Sequence, residues 1–241
     1  MMRSLIDGLT QLIYPKTCIV CKNRLGPHAS SDLICAACLK GIKKNLPPFC
    51  CCCGRQLEKK SFSKNTCPAC QKHQLHFDRA WSPCSYTGVA KTLVHEFKYR
   101  NRPYLDTLLS TLMIDCIKEY ELPMHFVDSV VPIPLHPARL REREFNQAEI
   151  LGNRIAKAFN KELIIGTLNR SRHTKTQTEL KTRERFLNVR GSFSVAHNQR
   201  IQNKNLLLVD DVLTTGATCS EAARSLKEAG AGVIFVLTLA S

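Results

Sequence analysis

The chain has 241 residues, a formal net charge of +15 and thirteen cysteines. That length gives one large domain or two unequal ones. No apolar run of about 18 residues occurs, which excludes a transmembrane helix, and the first residues lack the basic start and small-residue cleavage site of a secretory signal. A cytoplasmic protein is therefore expected, with cysteines that are not in disulfides and a positive charge suited to a polyanion, either nucleic acid or a phosphorylated small molecule.

Leu5, Ile6, Leu9, Leu12 and Ile13 come first and fall at helical spacing. The polar face of that helix carries few basic residues, so docking on the protein body is expected in preference to a membrane-surface position. Two C-x-x-C pairs follow, Cys18 with Cys21 and Cys35 with Cys38; adding 32 to each number lands on Cys50, Cys53, Cys67 and Cys70. This is an internal duplication, and it makes Cys51 and Cys52 fillers within the run PPFCCCCGRQL. Each repeat reads C-x2-C-x13-C-x2-C, close to a zinc-ribbon pattern. Two thiolates on a tight knuckle share one tetrahedral ion, and a second knuckle closes the site against water. Such a site is structural and substitutes for the core that so short and polar a segment lacks. A redox role would need a thioredoxin-like strand and helix around the pairs, which are missing. Iron uses the same ligand set, and the spacing admits pairing within each repeat or crossed between repeats; zinc with pairing inside each repeat is the expectation. Two such sites lower the effective charge to about +11. Cys84, Cys116 and Cys219 have no partner spacing and are expected to be buried.

The cysteine-rich segment ends near His76, giving an expected domain of residues 1–77 and a second of 78–241. Beyond it, strands alternate with helices. DRAWSPCSY is a strand, GVAKTLVHEFKYR and YLDTLLSTLMIDCIKEY are helices, and VDSVVPIPL is a buried strand. NQAEILGNRIAKAFN is a helix capped by Asn146, and ELIIGTL is a strand. Residues 169–190 form a long polar segment; GSFSV and KNLLLVDD are strands, SEAARSLKEAG is a helix with Gly230 at its C-terminal cap, and GVIFVLTLA closes the chain. This order predicts an α/β fold with a parallel sheet.

LLLVDDVLTTGATCSEAA carries the most chemistry. A buried strand ends in Asp210 and Asp211, a turn runs through Thr214, Thr215, Gly216, Ala217 and Thr218, and a helix follows. Backbone amides at that turn suit a phosphate monoester, Gly216 allows close approach, and the carboxylates can accept from a vicinal diol. Phosphate with diol describes a ribose 5-phosphate. A receiver domain would need far more chain after the acidic pair, and a P-loop NTPase would need a G-x-x-x-x-G-K-[ST] run, which is absent.

VDDVLTTGAT resembles the phosphoribosyl pyrophosphate (PRPP) motif of type I phosphoribosyltransferases. VVPIPLHPARLREREFNQA, SRHTKTQTELKTRERFLNVRGSF and LVHEFKYR narrow the resemblance to the ComF family of competence proteins, in which a double zinc ribbon precedes the transferase-like domain. One departure stands out: Glu144 occupies the glycine position of the family's RGFNQ run. The resemblance implies a type I phosphoribosyltransferase-like parallel sheet behind a double zinc-ribbon domain. Thr214 to Thr218 would bind the 5-phosphate, and Asp210 and Asp211 the ribose hydroxyls. Lys98, Arg139, Arg141 and Arg143 are pyrophosphate candidates, although arginines in such a loop are also ordinary solvated surface. Mg2+ would accompany PRPP, held by substrate oxygens and few protein groups. Residues 169–190 would form a mobile hood, with Arg183 and Arg185 as nucleic-acid candidates; a solvated surface arm is the plainer reading. Two functions follow. One is a PRPP-binding protein of natural transformation that handles single-stranded DNA, with a competence helicase as partner. The other is an active phosphoribosyltransferase of nucleotide or amine metabolism with no DNA role. No catalytic residue is named by the sequence.

Overall fold

The structure, a computed structural model, describes residues 16–26, 32–58, 64–99, 103–172 and 182–241. The expected N-terminal helix at residues 5–13 lies outside these, as do residues 173–181 of the polar segment.

The 32-residue repeat is a repeat of structure. In the first copy Thr17 bridges Arg24, and in the second Phe49 bridges Gln56. The amide of Cys18 donates to the Asn23 carbonyl and that of Cys50 to the Arg55 carbonyl, both at 2.8 Å. Helices α1 (Ala36–Lys40) and α2 (Pro68–Lys72) then occupy equivalent positions. The copies differ where they meet the rest of the protein. Lys22 and Gly54 both have left-handed backbone, with φ of 64° and 67°. Lys22 is exposed. Gly54 presses on a neighbouring strand so closely that a Cβ there would lie 2.1 Å from the Ala80 carbonyl oxygen, and only glycine combines that φ with that approach.

The main sheet contains β1 (Arg79–Trp81), β2 (Ser129–Pro132), β3 (Glu162–Leu163), β6 (Leu206–Val212) and β7 (Ile234–Ala240), in the order β1-β7-β6-β2-β3. Every pairing in it is parallel. Between the strands run α3 (Gly88–Tyr99), α4 (Asp106–Glu119), α5 (Pro137–Arg143), α6 (Gln147–Ala158) and α8 (Ala217–Glu228). A separate antiparallel pair joins β4 (Leu168–Arg170) to β5 (Phe193–Val195), with α7 (Thr182–Val189) between them in sequence.

Alternation along the buried strands divides the core in two. Val130, Leu207, Val209, Leu237 and Leu239 pack with residues of α3, α4 and α6. Val131, Leu206, Leu208, Ile234 and Val236 pack with Cys219, Ala222, Ala223 and Leu226 of α8. The ribbons divide in the same way. Cys18, Ile19, Ile34 and Ile42 belong to the first cluster, whereas Cys50, Cys53, Leu57 and Cys67 belong to the second.

Three elements differ from the expectation. The ELIIGTL run keeps only Glu162 and Leu163 in the main sheet; Gly166, at φ 80°, turns the chain away, and Leu168 opens the two-stranded sheet. The polar segment contains a strand end and a helix rather than a bare loop. Helix α8 starts at Ala217, three residues before the expected Ser220, because Gly216 in left-handed backbone (φ 79°) sets its start and Ser220 already donates to the Gly216 carbonyl. Its other end closes with Gly230 donating to Lys227 and Ala231 to Leu226, a Schellman pair.

Candidate functional site

The ligand atoms of Cys18, Cys21, Cys35 and Cys38 lie within 4.8 Å of one another, as do those of Cys50, Cys53, Cys67 and Cys70. Pairing is therefore inside each repeat, and the crossed arrangement is excluded. The Cys21–Cys35 sulfurs are 3.8 Å apart and the Cys53–Cys67 sulfurs 3.6 Å. A tetrahedral ion with Zn–S bonds of about 2.3 Å spaces its thiolates by about 3.8 Å, so both sets fit a metal and neither fits disulfides. The amides of Cys35 and Cys67 point at the sulfurs of Cys18 and Cys50, at 3.5 and 3.3 Å, which favours thiolate. Cys51 is exposed and lies sulfur to sulfur with Cys52 at 3.8 Å, and the Cys52 carbonyl accepts from the Ala80 amide at 2.7 Å. Burial pushes the thiols of Cys84 and Cys116 up to about 12 and that of Cys219 well above its ordinary value, so these three are unreactive packing groups.

The second constellation follows from strand order. Going through α8, the chain passes from β6 to β7 on one side; going through α6, it passes from β2 to β3 on the other. The reversal between β6 and β2 opens a crevice at their carboxyl ends, where α/β sheets bind ligands. Asp210 and Asp211 stand at the end of β6 and the turn into α8 follows them. Thr214 is exposed, Thr215 and Thr218 are half-buried, and Gly216 and Ala217 are buried. The hydroxyl of Thr215 accepts from the Ala217 amide at 3.4 Å. The first N–H groups of α8 have no carbonyl one turn back, and with the helix dipole they make this end attractive to an anion.

Lys98, at the end of α3, pairs with Asp211 at 2.7 Å, both side chains largely buried. Burial acts to lower the Lys98 pKa, but Asp211, helped by Asp210, overrides it and holds the ammonium above its ordinary value. Burial and the adjacent Asp211 push Asp210 up to about 7, against the pull of Lys98 and Arg170. The Lys98 ammonium thus sits against the acidic pair, in direct contact with Asp211.

The β2 side supplies the cations. On α5, Arg139 and Arg143 lie a turn apart and are partly buried, while Arg141 is exposed. Arg143 donates to Gln147 at 3.2 Å and to the Tyr99 hydroxyl at 3.3 Å, and its guanidinium lies over the Tyr99 ring. Arg143 Nε and Gln147 Nε2 are buried donors without a partner among the described residues. Arg170, on β4, is a member the sequence reasoning passed over. Burial lowers its pKa, with Arg139 and Arg143 adding to the effect and Asp210 opposing it, so the two-stranded sheet brings a third cation to the same crevice. In sequence Arg170 is one basic residue among many in the polar segment 169–190. Gln147, the buried first residue of α6, is legible in sequence only as a helix position. Of the nucleic-acid candidates, Arg183 and Arg185 both fall on α7; Arg185 is half-buried, and the Arg183 side chain is outside the described residues. A separate cavity of about 660 Å³ lies between α7 and α8, lined by His76, Arg172, Phe186, Arg190, Glu221 and Arg224 among others.

Comparison with known proteins gives a consistent result. The family model for the double zinc ribbon domain matches residues 9–71. Competence protein F of Haemophilus influenzae is 28% identical over 226 residues, covering 92% of this chain and 96% of that protein. DNA utilization protein YhgH of Salmonella typhimurium is 28% identical over 95% of this chain and 98% of its own length. Competence protein ComFC of Bacillus subtilis is 27% identical over 90% of this chain and 91% of its own. The chain is similar over nearly its whole length to ComF-type competence proteins. Among solved structures, the allosteric regulatory enzyme of purine biosynthesis aligns with 57% of this chain at 22% identity and a TM-score of 0.33, and the chain spans about a quarter (25%) of that protein's length.

The two four-cysteine sets are the structural zinc sites of the double zinc ribbon. The departure at Glu144 acquires a physical meaning: Glu144 sits at φ 65°, capping α5, a conformation natural to the glycine of the family pattern and strained for glutamate. No helix among the described residues is long and apolar enough to cross a membrane.

Proposed function

We propose that this chain is a ComF family protein that binds PRPP, or a related ribose 5-phosphate, in the crevice between β6 and β2, and that it serves the handling of single-stranded DNA in natural transformation. The observation that carries the first half is the carboxylate pair at the end of β6, followed directly by a glycine-capped helix start at the reversal of strand order. Thr214 to Thr218 take the 5-phosphate, Asp210 and Asp211 take the ribose hydroxyls, and Arg139, Arg143 and Arg170 line the side open to pyrophosphate. Lys98, paired with Asp211 at 2.7 Å, orients it as an acceptor. Mg2+ enters with PRPP and is bound mainly by its phosphate oxygens. Residues 1–77 act as the ribbon domain and 78–241 as the transferase-like domain.

The second half draws on the printed names of the relatives, two of them competence proteins and one a DNA utilization protein, and on the basic balance of the chain. The nucleic-acid arm is α7 with Arg183 and Arg185, and a competence helicase is the partner. The test is calorimetric titration of the zinc-loaded protein with PRPP and Mg2+, beside a salt series with single-stranded DNA. The expected results are saturable heat with PRPP, abolished in Asp210→Asn/Asp211→Asn, and DNA affinity that falls with salt and is lowered in Arg183→Ala/Arg185→Ala. Turnover with a nucleobase or amine acceptor, without any DNA affinity, would support the metabolic transferase reading instead.

A further inference from the structure

Among the described residues, the second zinc ribbon reaches the phosphate loop and the first does not. Arg55, two residues beyond the metal ligand Cys53, donates through Nη2 to the Thr214 carbonyl at 3.0 Å and to the Leu213 carbonyl at 3.5 Å. The chain leaving the ribbon adds further contacts. Any side chain at Gly216 would meet Leu75 and Phe77, at 3.4 and 3.6 Å, and the amide of His76 donates to the Ser220 hydroxyl at 3.0 Å. The same ribbon is fixed to β1 through the Cys52 carbonyl and the close approach of Gly54. The position equivalent to Arg55 in the first repeat, 32 residues earlier, is Asn23.

The consequence follows from peptide geometry. A trans peptide is planar, with its C=O and N–H pointing in opposite directions. Fixing the Leu213 carbonyl therefore sets the direction of the Thr214 amide, and fixing the Thr214 carbonyl sets that of the Thr215 amide. Both carbonyls turn toward the Arg55 guanidinium, so both amides turn away from the ribbon. Converging amides of this kind form an anion nest, and a nest whose peptides are already oriented does not have to order them when the anion arrives. The guanidinium also adds a positive charge behind the loop.

We propose that Arg55 is a positioning residue for the sugar-phosphate site, and that the second zinc site acts through it as the rigid mount of the phosphate loop. The ligand affinity part of this rests on the PRPP reading above; the loop-ordering part does not. Loss of the second metal then disorders the loop, whereas the first metal serves the opposite face of the sheet.

The experiment compares wild type, Arg55→Ala, Arg55→Lys and Asn23→Ala as full-length, zinc-loaded proteins. Metal content, hydrogen exchange of the peptide spanning 213–220 and titration with ribose 5-phosphate are measured on each. Arg55→Ala is expected to retain both metal ions, to exchange at least about tenfold faster in the loop, and to bind ribose 5-phosphate about tenfold more weakly, which corresponds to about 1.4 kcal/mol. Exchange at the far end of α8, residues 227–231, stays at the wild-type rate, which separates this effect from general unfolding. Arg55→Lys restores part of the protection, and Asn23→Ala matches wild type. Loop exchange in Arg55→Ala equal to wild type overturns the proposal. Wild type that fails to bind ribose 5-phosphate, with loop exchange still dependent on Arg55, overturns the PRPP reading and leaves Arg55 as the mount.

Discussion

Replacing Asp210 by Asn is expected to stabilise the ligand-free protein while weakening its hold on a ribose. Burial and the adjoining Asp211 raise the Asp210 carboxyl from 3.8 to about 7. The unfolded chain releases that proton near the ordinary value, while the folded chain keeps it to about pH 7. Folding thus takes up a proton between these limits, and stability falls as pH rises from about 4 to about 7. Fully expressed, the displacement corresponds to about 4 kcal/mol. Asp210 is only partly buried, so solvent screening reduces the recoverable part to about 1–2 kcal/mol. Asparagine keeps an oxygen for the Asp211 amide, which donates to Asp210 at 2.8 Å, so the substitution removes charge and leaves the hydrogen bond. Urea unfolding of both proteins at about pH 5 and about pH 8 reads the difference. The variant should gain about 1–2 kcal/mol at the higher pH and little at the lower one. A variant no more stable than wild type at the higher pH would refute the reasoning.

Three further outcomes are expected. Lys98→Met removes the ammonium 2.7 Å from Asp211; breaking a buried pair from one side costs about 3 kcal/mol, read as a lower urea midpoint and a smaller loss at acid pH, where Asp210 is neutral. Glu144→Gly relieves a left-handed residue at φ 65° and should raise stability by about 0.5–1 kcal/mol, seen as a higher melting temperature. Metal analysis should give two zinc ions per chain, matching the two four-cysteine sets; Cys51→Ser keeps both and Cys67→Ser loses one, while full chelation unfolds the ribbons.

The metal sites were almost fully legible, because ligand spacing is a local property and the 32-residue repeat exposes which cysteines count. The same repeat carries through to the hairpin hydrogen bonds of Cys18 and Cys50. The buried strands and amphipathic helices were legible from their periodicity, as in KNLLLVDD and GVAKTLVHEFKYR. The start of α8 was misjudged because Thr214, Thr215 and Gly216 all favour a turn, and nothing local says that left-handed Gly216 begins the helix at Ala217. The two-stranded sheet was missed since β4 and β5 pair across more than twenty residues of polar chain, and pairing partners so far apart leave no periodic trace. Arg170 and Arg55 were illegible for the same reason. Each is one arginine among many in sequence, and only the tertiary fold sets one near Asp210 and the other on Thr214.

The most direct measurement is a structure of the protein with PRPP and Mg2+ bound. The account predicts the 5-phosphate within hydrogen-bond distance of the amides of residues 214–218, the ribose hydroxyls on Asp210 and Asp211, and the pyrophosphate toward Arg139, Arg143 and Arg170. Ligand density in the cavity between α7 and α8 with an empty crevice, or no ligand at saturating concentration, would contradict it.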